Sequence, residues 1–188
     1  MKMKRLMREI KEWTKSFVLA ILIFVVLTTF GDITQVYGQS MEPTLHQKDQ
    51  LVYSKFSDVE KGDVVIVRSE IELTEAELSK MNIVQRWKIG DFKPLLKRVI
   101  ATTGDQVLIK NGVVYINEIE IEESYIGNSS TPGDVFIEEI PEGYYFVMGD
   151  NRHNSLDSRS AKVGLVSEVQ IEGEVFVRLF PLTNIGLL

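Results

Sequence analysis

Residues 17–30, FVLAILIFVVLTTF, carry no charge, and this run is the first constraint on the chain. A helix that is apolar on every face must be buried, in a protein core or in lipid. Its 14 residues would rise about 21 Å, short of a hydrocarbon layer of roughly 30 Å, whereas the span from Trp13 to Ile33 reaches about 31 Å. Trp13 suits the lipid interface, and Lys15 can extend its ammonium outward. Lys2, Lys4, Arg5, Arg8, Lys11 and Lys15 precede the run against only Glu9 and Glu12. The positive-inside rule therefore predicts a cytoplasmic basic arm (1–15), a single transmembrane anchor (16–33) and an extracytoplasmic body (34–188). A buried core helix of a soluble protein, and a cleaved signal peptide ending near Gly38-Gln39-Ser40, remain open from these residues alone.

The charge distribution narrows the function. The arm carries a net +4, so the overall −6 leaves −10 on the remaining 173 residues, which argues against a nucleic-acid surface. With no cysteine there is no disulfide framework, thiolate metal site or cysteine nucleophile. The two histidines, His46 and His153, stand 107 positions apart with no HExxH, and phosphate-binding glycine loops are absent. The sequence predicts neither a metal site nor a cofactor.

Beyond the anchor the chain reads as mainly β. Segments 51–53, 64–67, 96–101, 107–110, 113–116, 135–137, 144–148 and 174–180 are short and rich in β-branched or aromatic residues. In VLIK-NG-VVYI, Asn111-Gly112 supplies the two positive-φ positions of a tight hairpin turn. Thr74-Glu75-Ala76-Glu77 fits a capping box with Leu73 and Leu78 as a hydrophobic staple, so 69–93 reads as a partly helical insertion. One all-β body with this small insertion is expected.

Three stretches offer chemistry. In GQSMEPTL (38–45), Ser40 is either a nucleophile or the start of a turn toward Pro43. In LLKRVIA (95–101), Lys97 enters an otherwise apolar strand, and alternation sends Lys97 and Arg98 to opposite faces. An inward lysine would lose its charge readily and act as a base, whereas an outward one would be an ordinary edge-strand charge. In GDNRHNSLDSR (149–159), the serine and the charged residues suit either a hydrogen-bonding loop or a solvated turn, and a Ser-His-Asp triad through His153 and Asp157 stays open.

Taken together, Ser40–Leu45 (SMEPTL), Lys97–Asp105 (KRVI followed by GD) and Gly149–Arg159 resemble the serine, lysine and C-terminal boxes of type I signal peptidases. Gly62-Asp63-Val64-Val65 resembles a further box, and the likeness runs from the anchor to about Pro181. The resemblance implies a signal-peptidase-like β catalytic domain and a membrane-bound serine endopeptidase that removes signal peptides from exported preproteins after small residues of the Ala-x-Ala type. By matching position, Ser40 is the nucleophile and Lys97 the base. Ser155 orients the amine, Asp150 pairs with Arg98, and Asp157 pairs with Arg159. The Ser40 backbone N–H is one oxyanion donor.

Two departures stand out. Where some members carry a serine hydroxyl two positions before the nucleophile, this chain has Gly38, as in the enzymes of Gram-positive bacteria. Where relatives often show Gly-x-Pro, it has Ala101-Thr102-Thr103. Lysine rather than histidine at 97 resembles the bacterial branch, which implies a single-pass protein of the bacterial cell membrane. Preproteins and lipid are the expected partners, without nucleic acid or metal. A peptidase specialised for pilin or conjugation proteins, and a catalytically silent assembly partner, are the competing functions. Ser40, ten residues past Phe30, lies at most about 35 Å from the end of the anchor, which predicts a site close to the membrane face. Met41 and Leu45 either touch lipid there or pack within the loop.

Overall fold

A computed structural model describes residues 11–22, 31–79, 81, 86, 90, 92–127 and 129–188. Contacts divide the chain into two units, 1–32 and 33–188. In the first, residues 11–22 form an exposed helix, α1, with Lys15 paired to Glu12. The remainder of the expected anchor, 23–30, lies outside the described residues. Among the described residues no helix is long and apolar enough to cross a membrane. The end of the expected anchor is not helical: Gly31–Gln35 forms strand β1. Its sequence, GDITQ, opens with a helix-breaking glycine and places β-branched Ile33 and Thr34 in an extended chain.

The second unit is built on β2 (Gln50–Ser54), β3 (Val64–Glu72), β4 (Phe92–Ala101), β5 (Val107–Lys110), β6 (Val113–Ile116), β7 (Ile119–Glu120), β8 (Val135–Ile137), β9 (Tyr144–Met148), β10 (Val166–Ser167), β11 (Ile171–Phe180) and β12 (Gly186–Leu187). The larger sheet runs β1-β2-β11-β3-β4-β9-β10, with β12 added to β11; the smaller runs β7-β6-β5-β8. Strand β3 explains how the layers meet. Its VVIV run is buried on both faces, so it reads as continuous rather than alternating. Val64 and Ile66 join Met41, Leu45, Leu51 and Val175 in one core, while Val65 and Val67 join Leu95, Val99 and Val147 in another. A third core packs Ile109, Val114 and Ile116 of the smaller sheet with Ile100, Phe146 and Met148 of the larger.

The Asn111-Gly112 turn forms as expected, with φ of 54° and 83°. Of the expected partly helical insertion 69–93, both ends are strand, since β3 continues to Glu72 and β4 begins at Phe92; between them Glu75–Leu78 forms helix α2 and Arg86 is helical, while 80, 82–85, 87–89 and 91 lie outside the described residues. Met41 and Leu45, at 1% and 0% exposure, belong to the core, and the lipid-contact alternative for them falls away.

Candidate active site

Strand β4 carries Lys97 and Arg98 on opposite faces, and both are buried, at 2% and 8% exposure. Burial of Arg98 is made tolerable by full pairing. Its Nε and Nη2 donate to the two carboxylate oxygens of Asp150 at 2.9 and 2.7 Å, and its Nη1 donates to the Gly62 carbonyl at 2.6 Å. The Tyr125 ring lies 4.3 Å from the guanidinium carbon. A bidentate, dry pair of this kind holds geometry because losing either partner strands a charge.

Among the described residues, Lys97 has no carboxylate partner. Its Nζ donates to Ser40 Oγ at 2.9 Å and to the Leu96 carbonyl at 2.8 Å. Burial pushes the amine down to about 8, against the pull of Asp157 and Asp150 and with a smaller push from Lys93 and Arg159. The edge-strand alternative for Lys97 is therefore excluded by its position.

Ser40 is presented by a turn whose apolar residues are anchored. Met41 and Leu45 plug the core, and Leu45 N–H closes a helical turn on the Met41 carbonyl at 2.9 Å. Thr44 Oγ1 donates to Asp150 Oδ2 at 2.5 Å, tying the turn to the Arg98 pair. From β11, Arg178 donates to the Thr44 carbonyl at 2.9 Å and to Asp49 at 3.3 Å. Gly38 has φ of +85°, a conformation that strains any side-chain-bearing residue, so on this backbone the position favours glycine over serine.

The loop after β9 closes the site. Gly149 leaves room for the turn: a Cβ there would stand 2.4 Å from the Ser40 carbonyl oxygen and 2.3 Å from Ser155 Oγ. Burial raises the Asp157 carboxyl, but the Arg159 hydrogen bonds and charge, with Ser155 and the Gly149 N–H, outweigh it and hold the group below the ordinary carboxylate range. Arg159 Nε and Nη2 each donate to Asp157 at 2.9 Å. Thus the two expected ion pairs are both present.

Ser155 departs from expectation. Its buried hydroxyl makes no hydrogen bond to the amine, which takes the Leu96 carbonyl instead. His153 is exposed, and the Asp157 carboxylate is engaged by Gly149 N–H and Arg159, so the His153-Asp157 triad is not assembled. Arg152, which the sequence offered only as one of the loop's charges able to pair and without its partner Glu123, is fully enclosed. It donates to the Gly149 carbonyl, to Thr131 and to both oxygens of Glu123, while Tyr125 donates its hydroxyl to the same carboxylate. Arg152 sits inside the recognised loop motif, but Glu123 is 29 residues away on a segment with no signal of its own.

A cleft of about 330 Å³ is lined by Val36, Tyr37, Tyr53, Ile66, Pro94 and Leu96 among others; Leu96 precedes Lys97 on β4, and neither Ser40 nor Lys97 lines it. Its lining includes residues of β1, which ends the larger sheet, and of β4 ahead of Arg98, where the pairing with β9 begins.

A family profile described as signal peptidase, peptidase S26, matches residues 10–180. The chain is 33% identical over 184 residues to signal peptidase I T of Bacillus subtilis, covering 90% of this chain and 85% of that protein. It is 32% identical over 185 residues to a probable signal peptidase I-2 of Synechocystis, covering 94% and 76%. A crystal structure of a signal peptidase I from Enterococcus faecalis aligns with a TM-score of 0.47 at 24% identity, over 63% of this chain and 97% of that one. Similarity that spans nearly the whole of this chain and most of its relatives places the protein in the signal peptidase family, peptidase S26, as a serine peptidase and hence a hydrolase.

Proposed function

We propose that the protein is a single-pass enzyme of the bacterial cell membrane that cleaves signal peptides from exported preproteins, after small residues of the Ala-x-Ala type, with a Ser40/Lys97 dyad. The observation that carries the proposal is the Lys97 amine, enclosed, poised near 8 and 2.9 Å from the Ser40 hydroxyl. In its neutral form the amine keeps an N–H for the Leu96 carbonyl and turns its lone pair to the Ser40 O–H. Ser40 Oγ then attacks the scissile carbonyl as the amine takes the proton, and the resulting ammonium returns it to the leaving amine. Water, deprotonated by the same amine, hydrolyses the acyl-enzyme. The Ser40 N–H is the backbone donor to the oxyanion.

The cleft supports a peptide substrate in extended form, since it runs along residues of strands β1 and β4 and is lined by apolar side chains. The uncharged run and the basic arm support membrane attachment. Turnover of a lipid-embedded preprotein by wild type, Ser40→Ala and Lys97→Met tests the proposal. Only wild type should yield the shortened product, and equal turnover in all three eliminates the dyad.

A further inference from the structure

The Ser40 N–H can serve an oxyanion only if the Gln39–Ser40 peptide plane faces the right way, and nothing in the dyad fixes that plane. A trans peptide is planar, with its C=O and N–H directed oppositely, so whatever holds the Gln39 carbonyl also aims the Ser40 N–H. The Gln39–Ser40 bond is not among the cis peptides of the chain. The Gln39 carbonyl accepts from the Asn151 side-chain Nδ2 at 3.1 Å, and the next carbonyl, that of Ser40, accepts from the Asn151 backbone N–H at 3.0 Å. One residue thus grips two consecutive carbonyls of the nucleophile turn. Because the acceptor is a carbonyl, the amide must present its NH₂ there, which settles its orientation. The Ser40 N–H is directed away from Asn151, and among the described residues it has no acceptor.

From this geometry we infer that Asn151 is a positioning residue for the oxyanion site, holding the Gln39–Ser40 plane with its N–H turned to the reacting carbonyl. Gly38, at φ +85°, stands one residue upstream and gives the turn little intrinsic stiffness. Without the amide, the plane is free to rotate. A rotation of half a turn would replace the N–H by the Gln39 carbonyl oxygen, which repels the negative oxygen forming there. The inference rests on Ser40 being the nucleophile but concerns a step the dyad does not perform. Asn151 touches neither the Lys97 amine nor the Ser40 hydroxyl by hydrogen bond, so its effect separates from proton transfer.

The experiment compares full-length wild type, Asn151→Ala, Asn151→Leu and Ser40→Ala in lipid-detergent micelles, on a fluorogenic peptide with Ala-x-Ala before the scissile bond. Asn151→Ala and Asn151→Leu, which remove the amide without adding charge, should lower kcat by about 100-fold, the order lost with one oxyanion donor. KM should stay within about twofold, and the acidic limb of kcat/KM should stay near the wild-type pH, because neither ground-state binding nor the amine is altered. A peptide aldehyde provides the second readout. Ser40 Oγ bonds to its carbonyl carbon while the hydroxyl proton ends on the former carbonyl oxygen, so its binding should weaken in parallel with kcat. Unchanged kcat in the Asn151 variants with an inactive Ser40→Ala overturns this inference alone. Full activity of Ser40→Ala overturns it together with the dyad. A fall in kcat accompanied by a displaced acidic limb or a lowered Tm shows a general loosening of the loop and also overturns it.

Discussion

Replacing Lys97 by methionine should change stability with a sign that depends on pH. In the folded chain the amine titrates near 8 rather than at 10.5, so below pH 8 it is charged in both states and the native state carries the cost of enclosing it. At roughly 1.4 kcal/mol per pKa unit that cost is about 3 kcal/mol. Between about 8 and 10.5 the unfolded chain binds the extra proton, so wild-type stability rises through this window and the cost is gone above it. Methionine has a similar unbranched stem and no charge, but it abandons hydrogen bonds to Ser40 Oγ and the Leu96 carbonyl, together worth about 1–2 kcal/mol. Lys97→Met should therefore be more stable than wild type by about 1–2 kcal/mol at pH 7 and less stable by a similar amount at pH 11. Urea unfolding of the full chain in detergent micelles, followed by far-UV circular dichroism across this range, gives the difference between the two proteins; other titrating groups cancel from it. A difference that does not vary with pH would refute the argument, since it would mean that the amine is as well solvated folded as unfolded.

The pH profile of kcat/KM should rise about tenfold per unit up to about 8 and then level, and Arg159→Gln should move that limb upward, because the Asp157 charge would then act on the amine without its counterion. A limb that stays in place, or moves down, contradicts the assignment of the amine as base. Asp150→Asn should cost about 3–5 kcal/mol by leaving buried Arg98 without its carboxylate, visible as a Tm lower by roughly 6–20 °C. Gly149→Ala should lower kcat at least tenfold by driving a Cβ into the Ser40 carbonyl, whereas His153→Ala, at an exposed position, should leave kcat unchanged; a loss in the latter would restore the histidine triad.

Local signals carried most of the body. Val107–Lys110, Val113–Ile116, Val135–Ile137 and Tyr144–Met148 form where residue type and the Asn111-Gly112 turn place them. β1 was hidden because GDITQ follows directly on the apolar run and becomes a strand only by pairing with β2. The two-residue strands β10 and β12 likewise exist by docking on β9 and β11. Lys97 was conspicuous as a charge in an apolar strand, but its meeting with Ser40 spans 57 residues and came from motif resemblance, not from pattern. The Leu96 carbonyl, which replaces Ser155 at the amine, is a backbone group that every sequence offers and none advertises.

The arrangement of charges explains how an amine with two carboxylates nearby stays poised for neutrality. Asp157 and Asp150 each raise the proton affinity of Lys97, and left bare they would work against the desolvation that lowers it. Each is instead clasped by an arginine through two hydrogen bonds, Asp157 by Arg159 and Asp150 by Arg98. Arg98 follows Lys97 in sequence, yet strand alternation puts it on the other face of β4, so adjacent residues supply the amine to one side and the counterion to the other. Arg152 is treated in the same way by Glu123. The loop can thus donate many hydrogen bonds to hold the serine turn while adding little net field at the amine, and burial is left as the largest influence on its protonation.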